Sequence, residues 1–290
     1  MTAPSTILCV GRLYCDLIFT DLPRMPTLGT EVFAGDVGLH PGGGAPITAA
    51  HLSALGHPSA LASILPAPPF GEIVRQRLER ENVDLNLCQT AKQDSKPQVT
   101  MALVHQGERA FVSHRAGPAL PEIRADDLRD NGICHIHIGE ATTLTDHPNL
   151  IDIAKDIGAT LSLDCSWDDD LNASKLAPLL REVDVFLPNE AEFQMLKKLG
   201  LKDPFGKLTV VKQGAAGAMA FGSQGRVYRP AIKTEIVDTT GAGDAFNAGF
   251  LKAWTENAAL NDCVLAGNLA GAKATTIRGG MPSCALESAG

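Results

Sequence analysis

The stretch Asp238-Thr-Thr-Gly-Ala-Gly-Asp244-Ala-Phe-Asn-Ala-Gly-Phe250 holds the residues best suited to chemistry. Gly241 and Gly243 permit a tight turn that brings backbone N–H groups up to a ligand. A helix following at Ala242 adds unpaired N–H groups and the positive end of its dipole. Together they form a cradle for negative charge, phosphate above all. Such a cradle stabilises the charge on a phosphoryl group in transfer. Asp244, in the first turn of that helix, offers a carboxylate to the same cleft, where it can take a proton from an attacking hydroxyl. The bland alternative is a glycine-rich helix start with an ordinary N-terminal acid, the common fate of a short Gly-x-Gly-Asp match. Gly241, Ala245 and Gly249 recur every four residues, which predicts a smooth helix face packed close to a sheet.

The elements that must hold this site are legible in outline. Thr6–Gly11 is a short apolar run ending in glycine, a buried strand of a parallel sheet. Pro23, Pro26, Gly29 and Gly35 then punctuate short β-prone pieces. Gly42-Gly-Gly44 opens a helix over 45–55, stopped by Gly56. A strand follows at 61–65 and a helix near 71–82. Residues 98–114 alternate around Gly107-Glu108 as a hairpin. From Gly132, strands at 133–138, 160–164, 184–187 and 208–212 alternate with helices near 149–157, 176–181 and 190–199. That alternation predicts a parallel sheet covered on both faces. A hairpin at 218–229 and long helices at 242–255 and 261–277 close the chain. The expectation is one doubly wound α/β domain over residues 1–290, with a small β lid drawn from roughly 12–40 and 95–116.

With these residues in view, the chain resembles the ribokinase-like (pfkB) carbohydrate kinases over nearly its whole length. Asp238–Phe250 is similar to that family's long C-terminal signature. The resemblance implies an ATP-dependent kinase acting on a hydroxyl of a small sugar-like molecule. It implies Asp244 as catalytic base and the N–H groups of Gly241, Ala242 and Gly243 as an anion hole. Pro188-Asn-Glu-Ala-Glu192 resembles the family's Asn-x-x-Glu element, with Asn189 near the nucleotide phosphates and Glu192 organising Mg²⁺ through water. Lys212, Gly214 and Gly217 resemble its nucleotide-side strand and turn, and Asn268 its residue beside the ATP base. Thr275–Gly280 is similar to a closing loop that binds a monovalent cation such as K⁺ in some members.

On the acceptor side, Gly11 with Asp16 resembles a strand-end pair whose carboxylate holds substrate hydroxyls; a carboxylate accepts two such bonds at once. Gly43 and Gly44 resemble a backbone that approaches the sugar, and Gly107–Phe111 a lid hairpin. Glu140 follows a strand end, where ligands bind in open parallel sheets. Three positions depart from the pattern. Ile47 stands where an Asn normally reaches the sugar, Pro68 where an Asp is usual, and Tyr14 where ribokinase has an Asn. They predict an unusual, more apolar acceptor pocket, since lost hydrogen-bonding groups alter specificity. Tyr14 also keeps a ribonucleoside kinase open, as a residue able to stack on a base. A non-catalytic sugar or nucleotide binder is a third reading.

Other features have plainer readings. His135 and His137 share one face of a strand, with no third metal ligand nearby in sequence. Trp167-Asp-Asp-Asp170 reads as an acid-rich loop and helix start. Arg115 reads as a solvated lid residue, and Asp164 as a weak substrate-contact candidate near a strand end. The first strand lacks a G-x-G-x-x-G turn, which disfavours a dinucleotide oxidoreductase. The 290 residues suffice for one large core. A net charge of −8 without a Lys/Arg cluster argues against nucleic-acid and anionic-membrane partners. Seven cysteines without a CxxC pair read as reduced core thiols. With no signal or spanning segment, a cytoplasmic location is expected. Open lid edges further predict pairing with a second copy.

Overall fold

Short Val/Ile/Leu runs build the main sheet, because a strand buried on both faces needs apolar side chains on both. The computed structural model describes residues 5–106, 108–166, 171–202, 205–223 and 225–282. Eight strands form the main sheet: β1 (Thr6–Val10), β4 (Ser59–Ala62), β9 (Ile133–Ile138), β10 (Thr160–Leu163), β11 (Val185–Phe186), β12 (Leu208–Lys212), β13 (Ala218–Gly222) and β14 (Gly225–Arg229). Their order is β14-β13-β12-β11-β10-β9-β1-β4. The six from β4 to β12 run parallel, and the β13–β14 hairpin adds an antiparallel edge.

Alternation along β1 divides the core. Ile7 and Cys9 pack with helices α1 (Gly44–Ala54), α2 (Phe70–Arg80), α8 (Ala242–Thr255) and α9 (Leu260–Ala274). Leu8 and Val10 pack with α3 (Ala125–Asp130), α4 (Ala141–Asp146), α5 (Leu150–Asp156), α6 (Ala173–Leu180) and α7 (Glu190–Lys198) on the other face. Each fully buried Leu, Ile or Phe contributes about 1.5–3 kcal/mol relative to exposure. This is the doubly wound arrangement the alternating pattern predicted.

A separate sheet of four strands, ordered β3-β2-β7-β8, comprises β2 (Tyr14–Thr20), β3 (Asp36–Gly42), β7 (Val99–His105) and β8 (Glu108–His114). Its register puts Asp16 beside Thr100, while Leu103 pairs with Ala110 and Val104 with Arg109. Side chains alternate across a strand, so Tyr14, Asp16, Thr100 and Arg109 share one face. A two-stranded piece, β5 (Ile64–Leu65) with β6 (Gln89–Thr90), lies between the sheets in sequence.

Several expectations need correction. β4 starts at Ser59, and the single expected strand over 61–65 is split between β4 and β5. α3 and α4, of six residues each, were not foreseen; helices that short have too few turns to show a 3.6-residue period. The small-residue stripe on α8 does not pack on the sheet. A Cβ at Gly249 would lie 2.5 Å from the Ala266 oxygen of α9, and one at Gly241 would lie 2.7 Å from Gly280 Cα. Gly107, Trp167–Asp170 and Cys284 lie outside the described residues.

Candidate active site

The parallel strands end at one edge of the main sheet, and that edge gathers the polar residues. Asp164 follows β10, Asn189 follows β11, and Lys212 ends β12. They line a cleft of about 380 Å³ with Gly44, Gly139, Glu192, Gly214, Gly243 and Asp244. Strand ends leave backbone groups without ladder partners, and helices starting there aim N–H groups at the gap.

Each side chain is held by local chemistry. Asn189 caps α7: its Oδ1 accepts from the Glu192 N–H at 2.9 Å, and Glu192 Oε2 accepts from the Asn189 N–H at 2.8 Å. This reciprocal box satisfies two orphan donors and faces Glu192 to the cleft. Lys212 donates to Asp164 Oδ2 at 2.7 Å and to Asn247 Oδ1 at 3.1 Å. Asn247 Nδ2 in turn donates to Asp164 Oδ2 at 2.5 Å. Asn247 is fully buried on α8. Sequence reasoning passed it over because it reads as one more residue of the motif helix; only its position one turn after Asp244 hinted at a role.

Gly241 takes φ 70° as the N-cap of α8, a left-handed conformation that costs a side-chain-bearing residue about 1–2 kcal/mol. The turn exposes Gly243 to the cleft, with Lys212 Nζ 3.6 Å from where a Cβ would sit. Opposite lies the start of α1. A Cβ on Gly44 would come within 3.0 Å of Asp244 Oδ1 and 2.9 Å of the Gly139 oxygen. Glycine there lets the α1 backbone approach the Asp244 carboxylate.

Asp164, Glu192 and Asp244 crowd round Lys212. The Asp244 carboxyl is pushed well above the ordinary aspartate range, first by burial and then by the negative charges of Asp164 and Glu192, against the pull of Lys212. Burial and Asp164 raise Glu192 to about 7. Burial works against the Lys212 charge, but Asp164 and Glu192 outweigh it and hold the ammonium protonated. Hard oxygen donors of this kind suit Mg²⁺. Among the described residues no three acids or histidines converge to ligate an ion directly, so the donor set fits an ion held largely through its own waters.

The residues expected on the acceptor side lie on the neighbouring elements. Asp16 is paired with His40 and Thr100 in the small sheet, and burial raises its carboxyl to about 7. Its carboxylate lies against Gly42, two residues before Gly44. Glu140 Oε1 accepts from the Arg12 N–H at 3.2 Å and from Thr143 Oγ1 at 2.6 Å. Tyr14 is hydrogen-bonded to Arg115 and feels the charges of Glu140 and Arg12. Gly43 precedes α1 with φ 104°. Ile47 is 7% exposed, in the core beneath Gly280. Asn268 on α9 donates to the carbonyls of Arg229 and Pro230 at 3.2 and 3.0 Å. Gly214 opens a 3₁₀ turn that Gly217 ends with φ 104°. His135 and His137 are fully buried and bonded to Thr160 and Ser162, with Asp184 acting as an acidic neighbour on His135.

The family model described as pfkB family carbohydrate kinase matches residues 5–287. A fructokinase of Rhizobium leguminosarum bv. trifolii is 28% identical over 84% of this chain and 78% of its own length. The nucleoside kinase of Methanocaldococcus jannaschii, a ribokinase-family member, superposes with a TM-score of 0.80 at 19% identity, over 96% of this chain and 94% of that one. A putative ribokinase II of E. coli in complex with ATP and Mg²⁺ superposes with a TM-score of 0.77 at 21% identity, over 96% and 94%. No described helix is long and apolar enough to cross a membrane.

Proposed function

Since this chain belongs to the pfkB family of carbohydrate kinases, we propose that it transfers the γ-phosphoryl group of ATP to a hydroxyl of a small sugar-like acceptor at the Asp244 cleft. The observation that carries this reading is the approach of Asp244 to Gly44. Asp244 Oδ1 lies 3.0 Å from the Cβ position of Gly44, and both residues line the cleft with Gly243 of the turn that opens α8.

In this reading the N–H groups of Gly241 and Gly243, joined by that of Ala242 once it leaves the Thr239 carbonyl it meets at 3.3 Å, receive the transferring phosphoryl oxygens, aided by the helix dipole. Lys212 lies 3.6 Å from the Cβ position of Gly243, close enough to share that charge. Asn189 and Glu192 would face the nucleotide phosphates, and Glu192 would hold Mg²⁺ through water. The ion, when bound, would neutralise charge on the β- and γ-phosphates. Gly214, Gly217 and Asn268 flank the nucleotide. Asp16 and Glu140 accept bonds from acceptor hydroxyls, while Gly43, Gly44 and Tyr14 shape their surroundings; Ile47 supports the Gly280 loop from beneath. Asp244 takes the proton of the attacking hydroxyl. The small sheet acts as a lid whose closure excludes water and limits hydrolysis of ATP.

The test is phosphorylation of a panel of sugars and ribonucleosides by purified protein with ATP and Mg²⁺, read as product formed rather than ADP alone. No product from any member, with ADP release absent as well, would overturn the reading. Best turnover with a ribonucleoside would favour the nucleoside kinase alternative, which Tyr14 on the site-facing side of the lid supports. The same assay with K⁺ replaced by tetramethylammonium tests whether the Thr275–Gly280 loop uses a monovalent cation.

A homodimer through the lid is part of the proposal. Beyond its base, where Leu39 packs against the core, its outer face presents Leu17, Phe19, Val37, Met101 and Val112 in register, with Val37 52% and Val112 69% exposed. Such a patch invites a partner surface. Light scattering of wild type against Met101→Glu tests it; a monomeric wild type would remove it.

A further inference from the structure

A loop that holds a monovalent cation, as the resemblance of Thr275–Gly280 implies, needs free oxygens, because such an ion exchanges its hydration shell for oxygen ligands. The oxygens around this loop are already engaged. The Thr275 carbonyl accepts from the Val237 N–H at 2.8 Å and from the Asp238 N–H at 3.2 Å, which fills both of its lone pairs. The Gly280 carbonyl accepts from His51 Nε2 at 2.9 Å. His51 is 9% exposed on α1, one turn after Ile47, whose Cδ1 lies 3.1 Å from where a Gly280 Cβ would sit. Helix α1 therefore holds Gly280 at two points. Gly241 packs over the same carbonyl: a Cβ there would lie 2.8 Å from the Gly280 oxygen.

Asp238 is the charged oxygen donor beside the loop, and it is engaged too. Its Oδ1 accepts from the Thr240 N–H at 2.8 Å, from the Thr240 hydroxyl at 2.7 Å and from the Arg109 guanidinium, while its Oδ2 accepts from the Gly279 N–H at 2.9 Å. These donors match the roughly four lone-pair sites of a carboxylate. The donors from Thr240 and Gly279 are neutral and belong to the turn and the loop themselves. Arg109 brings a full positive charge from β8 of the small sheet. The two side chains are 20% and 18% exposed, so salt screens this pair less than one on the open surface.

We propose that Arg109 takes the place of the monovalent cation: the guanidinium of the small sheet, and not a bound ion, neutralises Asp238 and fixes the loop that braces the glycine turn of α8. The loop as built does not fit an ion, since the oxygens that would ligate it are spent on Val237, Asp238, His51, Thr240, Gly279 and Arg109. A guanidinium is permanently charged, and its planar fork suits a carboxylate. It also arrives with the strand that carries it. The charge at Asp238 is thereby set by where the small sheet lies and not by the ions in solution. The proposal stands on the turn itself, and only its turnover readout rests on the kinase reading above.

The experiment measures thermal unfolding and turnover in KCl, NaCl and tetramethylammonium chloride at equal ionic strength. Wild type should show the same Tm and the same kcat in all three. An ion bound at a site well above its Kd would raise Tm by several degrees, so a rise in Tm or kcat specific to K⁺ would overturn the proposal. Arg109→Ala should lower Tm and cut kcat/KM by about 10–100-fold, the scale of a lost charged hydrogen bond. Guanidinium chloride, kept well below denaturing concentrations, should restore part of the lost kcat/KM in this variant and add nothing in wild type. Arg109→Lys keeps the charge without the fork and should fall between the two. Equal losses in Arg109→Ala and Arg109→Lys with no recovery in guanidinium would show that the charge is not what matters, and would overturn the proposal. An Arg109→Ala protein equal to wild type in Tm and turnover would do the same. The Tm readings need no turnover, so a protein inactive toward every acceptor would sink the kinase and leave this test intact.

Discussion

Arg109 of β8 and Asp238, three residues before the N-cap of α8, form an ion pair that ties the small sheet to the glycine turn opening α8. Asp238 is the hub of that turn. It accepts from the Thr240 N–H at 2.8 Å, the Thr240 hydroxyl at 2.7 Å and the Gly279 N–H at 2.9 Å. Burial opposes its charge, but these donors and Arg109 hold its carboxyl below the usual aspartate range. Gly280, next to Gly279, packs against Gly241. One carboxylate therefore fixes the glycine turn, the closing loop and the tip of the small sheet together.

Breaking this pair should loosen the turn when the sheet no longer holds it. Arg109→Gln is expected to lower kcat/KM by about 10–100-fold, the scale of a lost charged hydrogen bond. ATP hydrolysis without acceptor should rise relative to transfer. The cycle of Arg109→Gln, Asp238→Asn and the double variant should show coupling of about 0.5–3 kcal/mol. Additive effects would mean that the two residues act separately.

The base assignment makes a pH statement as well as a mutational one. Asp244→Asn should lower kcat by about 10²–10⁴ while leaving ATP affinity nearly unchanged. Because burial, Asp164 and Glu192 raise the Asp244 carboxyl, its proton-accepting form is lost as pH falls from a point above the ordinary aspartate range. A profile of kcat/KM for the free enzyme should therefore show an acid limb displaced toward neutrality. A limb centred at the ordinary aspartate value, or its persistence in Asp244→Asn, would remove the assignment. Gly44→Ala should displace the same carboxylate and reduce kcat with little change in ATP binding, as small misplacements of reacting groups do.

Glu192 should make the Mg²⁺-free protein less stable on the alkaline side. Its carboxyl is raised to about 7 in the folded chain from 4.5, so the folded form holds the proton more tightly than the unfolded one. The stability this gives is complete below pH 4.5 and disappears as pH rises to 7, by up to about 1.4 kcal/mol per pH unit. Glu192→Gln keeps a carbonyl for the Asn189 N–H and removes the titration. In chelator-treated protein it should raise Tm relative to wild type at pH 8 and not at pH 4. Equal shifts at both pH values would show that Glu192 does not titrate in this range.

His135 and His137 act in the opposite sense. Burial pushes both down to about 3, with each histidine further opposed by a neighbouring positive centre: His137 for His135, and Lys212 for His137. The unfolded chain takes up protons below about pH 6.5 and the folded chain does not, so stability drains away as pH falls from there toward 3. The slope is about 1.4 kcal/mol per pH unit for each histidine. His137 Nε2 has no hydrogen-bond partner among the described residues, so His137→Leu removes an unsatisfied group as well as a titrating one. Urea unfolding at pH 4 and pH 7 should show about half the wild-type histidine contribution in this variant. An unchanged difference would place the acid sensitivity elsewhere.

What the sequence determined by itself was local. The glycines before Asp244, the Asn189–Glu192 capping box and the strand and helix periods from Gly132 onward are written in neighbouring residues, because turns, caps and amphipathic faces are set within a few positions of chain. The parallel sheet followed from strands alternating with helices. What only the tertiary structure decided were relations across many positions: Lys212 on Asp164 and Asn247, Gly44 against Asp244, Arg109 on Asp238, and Arg12 on Gln98 and Gly117. Residues 35 to 200 apart meet because crossover connections return every parallel strand end to one edge of the sheet, and no periodicity encodes which side chains then face one another.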